Sequence, residues 1–159
     1  MPTLHPNAQR VVAAAGASGV NITVVEFPDG TRTAVDAAAA INCAVDQIVK
    51  SMVFVADGAA VLALTSGSRQ VDPAALASNL GVARCKRADA ELVRKATGYP
   101  IGGVPPFGHT THLRSVVDPH LLDFDKVWAA GGTPRHVFSI TPHDLVLLSG
   151  APTADFTRT

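Results

Sequence analysis

Two stretches and one set of side chains in this 159-residue chain are suited to chemistry. Residues 97–109 read TGYPIGGVPPFGH, with four glycines and three prolines in thirteen positions. Gly102 and Gly103 allow positive φ and let another group approach the main chain closely. Pro105 and Pro106 fix their own φ and push Val104 and Pro105 toward extended conformations. Such a stiff bend can aim main-chain N–H groups at a carbonyl or an oxyanion without any charged side chain. The same composition also fits a rigid structural turn. The second stretch is the apolar run of residues 48–55, which Lys50 interrupts. A charge inside a buried strand is costly unless it is paired or at an edge. A lysine there can hold a phosphate or a carboxylate; a solvated edge lysine is the alternative.

The third candidate is the histidine set. Five of six histidines follow residue 108: His109, His112, His120, His136 and His143. His109 and His112 form an H-x-x-H pair, the spacing that shares a metal on a helix. The preceding Pro-Pro-Phe-Gly argues against a helix, and neither H-E-x-x-H nor a cysteine pair supports a metal. No metal and no cofactor are expected. His109 follows the glycine bend directly, where an ordinary imidazole could move a proton or simply pack. There is no G-x-S-x-G elbow, no Walker loop and no dinucleotide fingerprint. The small-residue run at 14–19 reads as helix packing or a helix end.

These residues need elements to hold them. Residues 6–17 read as a first helix and 21–27 as a strand, followed by a turn at Pro28-Asp29-Gly30. Thr33 and Asp36 match a capping box for a helix through Ile41. Residues 48–56 and 59–65 read as strands joined by a tight turn at Asp57-Gly58. Asp72-Pro73 opens a helix that stops at Gly81, and residues 89–96 form a short helix closed by Gly98. Short strands are expected at 115–117, 127–129 and 137–140. Thr141-Pro142-His143-Asp144 opens a last helix with His143 exposed, and the polar tail after Gly150 is expected to fray. The hairpin argues against a purely parallel sheet. The expected fold is one α/β (α+β) domain spanning 1–159, with a mixed sheet and flanking helices.

Composition narrows the function. Hydrophobic residues make up 47% and charged residues 16%, too apolar for a disordered chain. Thirteen basic residues balance thirteen acidic ones, which excludes a highly charged nucleic-acid coat but not local phosphate contact. Arg84, Lys86, Arg87, Arg94 and Lys95 form a local basic cluster, diluted by Asp89 and Glu91, and such clusters are commonly a solvated face. Aromatic residues, at 5%, are too few for broad base-stacking platforms. Cys43 and Cys85 are too few for a disulfide framework and read as buried thiols. The N-terminus lacks a secretory pattern and no run approaches a membrane span, so the expected setting is a reducing cytoplasm with no membrane partner.

Taken together, residues 50–55, 59–64, 72–77 and 97–109, the Val117-Asp118 pair, residues 130–132 and the Asp144-Leu145 pair resemble the YbaK/prolyl-tRNA synthetase editing-domain family of aminoacyl-tRNA deacylases. The resemblance runs from about Val24 to Leu148, and a G-x-x-x-P element maps to residues 102–106. It implies hydrolysis of the ester joining a wrong amino acid to the terminal adenosine of a tRNA, usually the proline tRNA. It implies a freestanding editor acting in trans. Lys50 would grip the phosphate or ribose of the acceptor end, and amides around Gly102 and Gly103 would orient the carbonyl. A ribose hydroxyl or a water would complete the reaction, with no metal. Ser51, Val104, Pro106, Gly131 and Gly132 fall in substrate-contacting segments, Phe27 is a wall of the pocket, and His109 tunes specificity or meets the acceptor end. Ala130 before the paired glycines, and no acid in 133–140, set this chain apart from cysteine-removing members. They point to another small amino acid such as alanine, serine or threonine. The neutral charge suggests modest tRNA affinity, assisted by prolyl-tRNA synthetase or an elongation factor. The competing readings are a non-catalytic module that binds tRNA ends or a synthetase, and a metal-dependent hydrolase using His109 and His112.

Overall fold

The centre of the fold is a hairpin set by two residues with positive φ, Asp57 at 52° and Gly58 at 79°. That backbone matches the twist of the flanking strands. In the computed structural model, which describes residues 4–30 and 33–158, strand β2 (Ile48–Ala56) pairs antiparallel with β3 (Ala59–Ser66), in register from Ala56 opposite Ala59 to Val49 opposite Ser66. The other strands are β1 (Val24–Glu26), β5 (Cys85–Arg87), β6 (Arg114–Val117), β7 (Val127–Ala130) and β8 (His136–Ile140). Their order is β1-β8-β7-β2-β3-β6, with β5 also pairing β2. The β7–β2 and β3–β6 ladders are parallel and the others antiparallel, so the sheet is mixed, as the hairpin requires. Two-residue strands β4 (Gln70–Val71) and β9 (Thr157–Arg158) form a second, small sheet.

Strand alternation sorts the core onto two faces. Val49, Val53, Leu62 and Leu64 pack with Val11 and Ala15 of α1 (Pro6–Ala17), Val93 of α4 (Ala90–Thr97) and Leu145 of α5 (Pro142–Ser149). Phe54, Val61 and Ala63 pack on the other face with Leu76 and Leu80 of α3 (Pro73–Leu80). Ile48 packs there against Ala37 and Ala38 of α2 (Ala34–Ile41). Each helix starts where a side chain can take an orphan amide. Thr33, Asp72, Asp89 and Thr141 accept from main-chain N–H groups in the first turns of α2, α3, α4 and α5. Glycines 81, 98 and 150 close the last three helices in the left-handed conformation. No described helix is long and apolar enough to cross a membrane.

Three expectations about the elements fail, and Cys43 and Cys85 are only half-buried instead of buried thiols. The strand expected at 21–27 is only three residues long, because β1 pairs β8 alone and its other edge is open. Strand β5 was not expected: a Cys-Lys-Arg triplet has no apolar alternation, and it forms only by adding to the edge of β2. The tail does not fray. Phe156 is fully buried beside Leu76 and Val116, the Asp72 N–H donates to the Phe156 carbonyl at 2.8 Å, and β9 pairs β4. One aromatic in a polar tail was enough to dock it. Residues 1–3, on which the absence of a secretory pattern was partly read, and Thr159 lie outside the described residues.

Phe156→Ala should cost about 3–5 kcal/mol of unfolding free energy, the range for emptying a buried aromatic site. Urea titration checks it; an unchanged midpoint would mean that the tail contributes nothing to the core.

Candidate functional site

Strand β2 is bordered on one edge by β3 along nearly its whole length. On the other edge it meets β7 only at Ile48 and Val49, and β5 only at Phe54, Val55 and Ala56. Positions 50–53 have no strand partner there among the described residues. One bond spans the interval, from the Ala88 N–H to the Val53 carbonyl at 3.0 Å. Alternation turns the N–H groups of Ser51 and Val53 toward that same open edge. Buried main-chain donors are nearly always paired, so an interrupted ladder has to face water or a ligand.

A cavity of about 540 Å³ lies against this interval. From one face of the sheet it takes Lys50, Met52, Arg87, Trp128 and α2 residues Ala34, Val35, Ala37 and Ile41. From the other it takes Val49, Ser51, Val53, Val93, Gly102 and Val104, while Val137, opposite Ala130, lies on the Trp128 face with α2. The walls are therefore apolar, broken by two cations and by main-chain polar groups.

Lys50 is half-buried on an interior strand, which replaces the reading of it as a solvated edge lysine. Its ammonium donates to the Arg69 carbonyl. Arg69 reaches the Asp118 carboxylate at 3.8 Å. Asp118 is fully buried and accepts from the main-chain N–H groups of Ser66 at 3.2 Å and His120 at 3.0 Å. Burial pushes the Lys50 pKa down, the nearby Arg87 charge pushes it further, and Asp118 pulls it back up. Ser51 Oγ is enclosed, with no hydrogen-bond partner among the described residues.

The glycine bend divides in two. Gly102, exposed with φ at 85°, lines the cavity, and its N–H has no partner among the described residues. Gly103 is buried outside the cavity lining, its N–H donating to the Pro100 carbonyl at 2.9 Å. That amide is spent on the turn, which corrects the expectation of Gly103 as an oxyanion donor. The Gly132 N–H donates to the Gly103 carbonyl at 3.0 Å, the Gly131 N–H to the His136 carbonyl at 2.7 Å, and Asn7 Nδ2 to the Gly132 carbonyl at 2.9 Å. Gly131 and Gly132 thus tie the bend to α1 and β8 behind the cavity, not at its surface. Phe27 is also outside the lining; its N–H donates to the Arg135 carbonyl at 2.7 Å, and α2 supplies the wall assigned to it.

Pro106 and His109 line a separate, smaller cavity of about 180 Å³ with Phe107, His112 and Ser149. His109 Nε2 is 2.7 Å from the Pro105 carbonyl, an acceptor only, so Nε2 carries the proton. Burial chiefly lowers its pKa, the Pro105 carbonyl opposes this, and His112 adds to it. His109 is a neutral brace for the diproline turn, away from the main cavity. Among the described residues, no three of His, Cys, Asp and Glu come together as a metal site. Sequence reasoning missed Arg69, Arg87 and α2 in this site; only the basic cluster containing Arg87 gave any signal.

Two outcomes follow. A Cβ on Gly103 would sit 2.6 Å from Thr133 Cα and 2.8 Å from its nitrogen, both main chain. Gly103→Ala should therefore cost about 1–3 kcal/mol and displace the bend, as overpacking does; full stability by chemical denaturation would contradict the packing described. His109 and His136 both have pKa values lowered mainly by burial. The unfolded chain then takes up protons first, so the stability these two histidines contribute falls as pH drops through the ordinary imidazole range. His109→Gln should make the fall shallower in unfolding titrations between about pH 5 and 8; an identical slope would contradict a depressed His109.

Comparison with known proteins fits this arrangement. A family model described as the aminoacyl-tRNA editing domain matches residues 28–148. The proline–tRNA ligase of Moorella thermoacetica is 35% identical over 79 residues, covering 50% of this chain but 14% of the ligase. The chain thus spans about a seventh of the length of that relative. The uncharacterised protein YwhH of Bacillus subtilis is 28% identical over 123 residues, covering 77% of this chain and 78% of YwhH. A crystal structure of a candidate trans-editing enzyme for prolyl tRNA synthetase superposes with a TM-score of 0.93 and 45% identity, over 99% of this chain and 100% of that one. The mixed sheet with flanking helices is the fold of that structure, and the match runs through β2, the glycine bend and β7. On these grounds the chain belongs to the aminoacyl-tRNA editing domain family, that of YbaK and the editing domain of prolyl-tRNA synthetase.

Proposed function

We propose that this protein is a cytoplasmic, freestanding deacylase that hydrolyses the ester of mischarged tRNA, the proline tRNA carrying a small non-cognate amino acid. The observation that carries the reading is the open edge of β2: an apolar cavity in which a tethered lysine and main-chain donors converge. Membership of the editing family and the end-to-end likeness to a candidate trans-editing enzyme support it.

The chemistry follows from what the substrate supplies. An aminoacyl ester is already activated and carries a neighbouring ribose hydroxyl, so positioning and charge stabilisation supply most of what the reaction needs. In the proposed reaction Lys50 holds the phosphate or ribose of the terminal adenosine, its amine aimed by the Arg69 carbonyl. The side chain of the amino acid enters between Ala34, Ile41 and Val137, walls that suit a small apolar or weakly polar group. A water attacks the acyl carbon, and the charge forming on the carbonyl oxygen is met by the N–H groups of Ser51, Val53 or Gly102. Collapse breaks the acyl–oxygen bond. The leaving ribose oxygen takes a proton from the attacking water, directly or through the neighbouring hydroxyl, and free amino acid and tRNA depart. Prolyl-tRNA synthetase or an elongation factor would deliver the substrate.

The test is a panel of tRNAs mischarged with alanine, serine, threonine and cysteine, with release of each amino acid followed over time. At least one small amino acid should be released, and Lys50→Ala should lower kcat/KM by a factor of about 10² or more, the loss expected when a charged contact of ~3 kcal/mol is removed. Tight tRNA binding without hydrolysis of any member would replace the enzyme by a binding module.

A further inference from the structure

The cavity holds a second cation that the proposed mechanism leaves unused. Arg87 lies opposite Phe54 in the antiparallel β2–β5 ladder, and Lys50 lies four residues before Phe54 on the same strand. Paired residues and residues two apart share a face, so Arg87 projects from the same face of the sheet as Lys50. Both line the cavity, and the Arg87 charge acts on Lys50. Two cations on one wall repel each other, so the arrangement costs stability unless an anion sits between them. The nearest described carboxylate that acts on Lys50, Asp118, is already held by Arg69 and by two main-chain N–H groups. Arg87 itself is exposed and, among the described residues, makes no ion pair. The region around it is also basic, although Lys86 alternates to the opposite face of the sheet, the face on which α4 packs. Arg84, Lys86, Arg94 and Lys95 are all exposed on β5, the residue before it and α4, and Asp89 and Glu91 are the acids among them.

We propose that Arg87 and Lys50 together seat one phosphate of a nucleic-acid strand whose end enters the cavity, with Arg87 as the fork that fixes the phosphate and Lys50 as the point charge. This rests on the editing reading and deepens it: it assigns Arg87 to substrate positioning and names the linkage at the 3′ end of the acceptor strand as its partner. A planar guanidinium grips phosphate oxygens two at a time, which orients the strand as well as binding it. The exposed cations of β5 and α4 add only a general favourable field for the rest of the strand.

The experiment uses an uncharged acceptor-stem hairpin RNA ending in CCA, titrated into the full chain. A second hairpin carries neutral methylphosphonates at its last two linkages. For the wild-type protein, neutralising those linkages should weaken binding about a hundredfold, as expected when two charge-assisted contacts are lost. Arg87→Gln should weaken binding of the ordinary hairpin about tenfold and cut the discrimination between the hairpins to about tenfold, the part that Lys50 still supplies. The salt dependence of log K should become shallower by about 0.7 for one single-strand phosphate, and Arg87→Lys should recover part of the affinity but less of the discrimination. Equal discrimination between the two hairpins by wild type and Arg87→Gln would overturn the assignment, as would an unchanged salt slope. Because the probe carries no amino acid, these outcomes are read whether or not any mischarged tRNA is hydrolysed. Failure of the panel with a normal Arg87 response would sink the deacylase and keep the phosphate seat, and the reverse would do the opposite.

Discussion

The structure depends on an interruption in one hydrogen-bond ladder. β2 is the central strand, yet along one edge its neighbours stop short: β7 leaves it after Val49, and β5 joins it only at Phe54. A continuous partner would satisfy the Ser51 and Val53 amides and leave no cavity. With the partner missing, main-chain donors face an opening walled by α2, the glycine bend and the ends of β7 and β8. Main-chain donors on a core strand are well fixed, because β3 holds that strand along its other edge. The fold thus builds a preorganised polar patch inside an apolar wall without a buried charged nucleophile, the condition under which electrostatic stabilisation needs least reorganisation.

Lys50 completes the patch, and its position follows from a chain of contacts that starts in the core. Asp118 is buried where β6 ends, fixed by two main-chain amides. It draws Arg69 to 3.8 Å, and the Arg69 carbonyl receives the Lys50 ammonium. The lysine is therefore held by a neutral carbonyl and feels the carboxylate only at a distance. An ammonium neutralised by direct pairing would have little left for a substrate anion; this one keeps its charge available. Behind the patch a Cβ on Gly103 would meet the main chain of Gly132 and Thr133, one on Gly132 the main chain of Asn7 in α1, and one on Gly131 the side chain of Val24 in β1.

Much of this was legible in the sequence. The hairpin, the five helices and the caps at Thr33, Asp72, Gly81, Gly98 and Thr141 were readable because they depend on local chemistry: Asp-Gly at a tight turn, Thr or Asp before a helix, glycine after it, whereas His5 before α1 and Asn42 after α2 were not. Lys50 stood out because a charge broke an apolar run, and Gly102 because glycine and proline cluster there. What was not legible depended on partners distant in the chain. Strand β5 has no strand pattern and exists through its ladder with β2. Phe156 looks like one apolar residue in a polar tail until the groove beside Leu76 is known. The glycine bend shows that composition marks a loop without saying which amides it leaves open: Gly102 keeps its N–H, while the neighbouring amide at Gly103 closes the turn. His109 follows the bend in sequence, but the diproline turns it toward the other cavity.

The central claim is that main-chain donors on the open edge of β2, beside Lys50, meet the acyl group. The most direct measurement is the amide ¹H–¹⁵N spectrum of the protein titrated with a non-hydrolysable aminoacyl-adenosine in which an amide replaces the ester. The account predicts that the largest shifts fall on the amides of Ser51, Val53 and Gly102, with Gly103 and Gly132 little changed. Shifts concentrated on His109, His112 and Ser149, with Ser51 and Val53 unmoved, would contradict it.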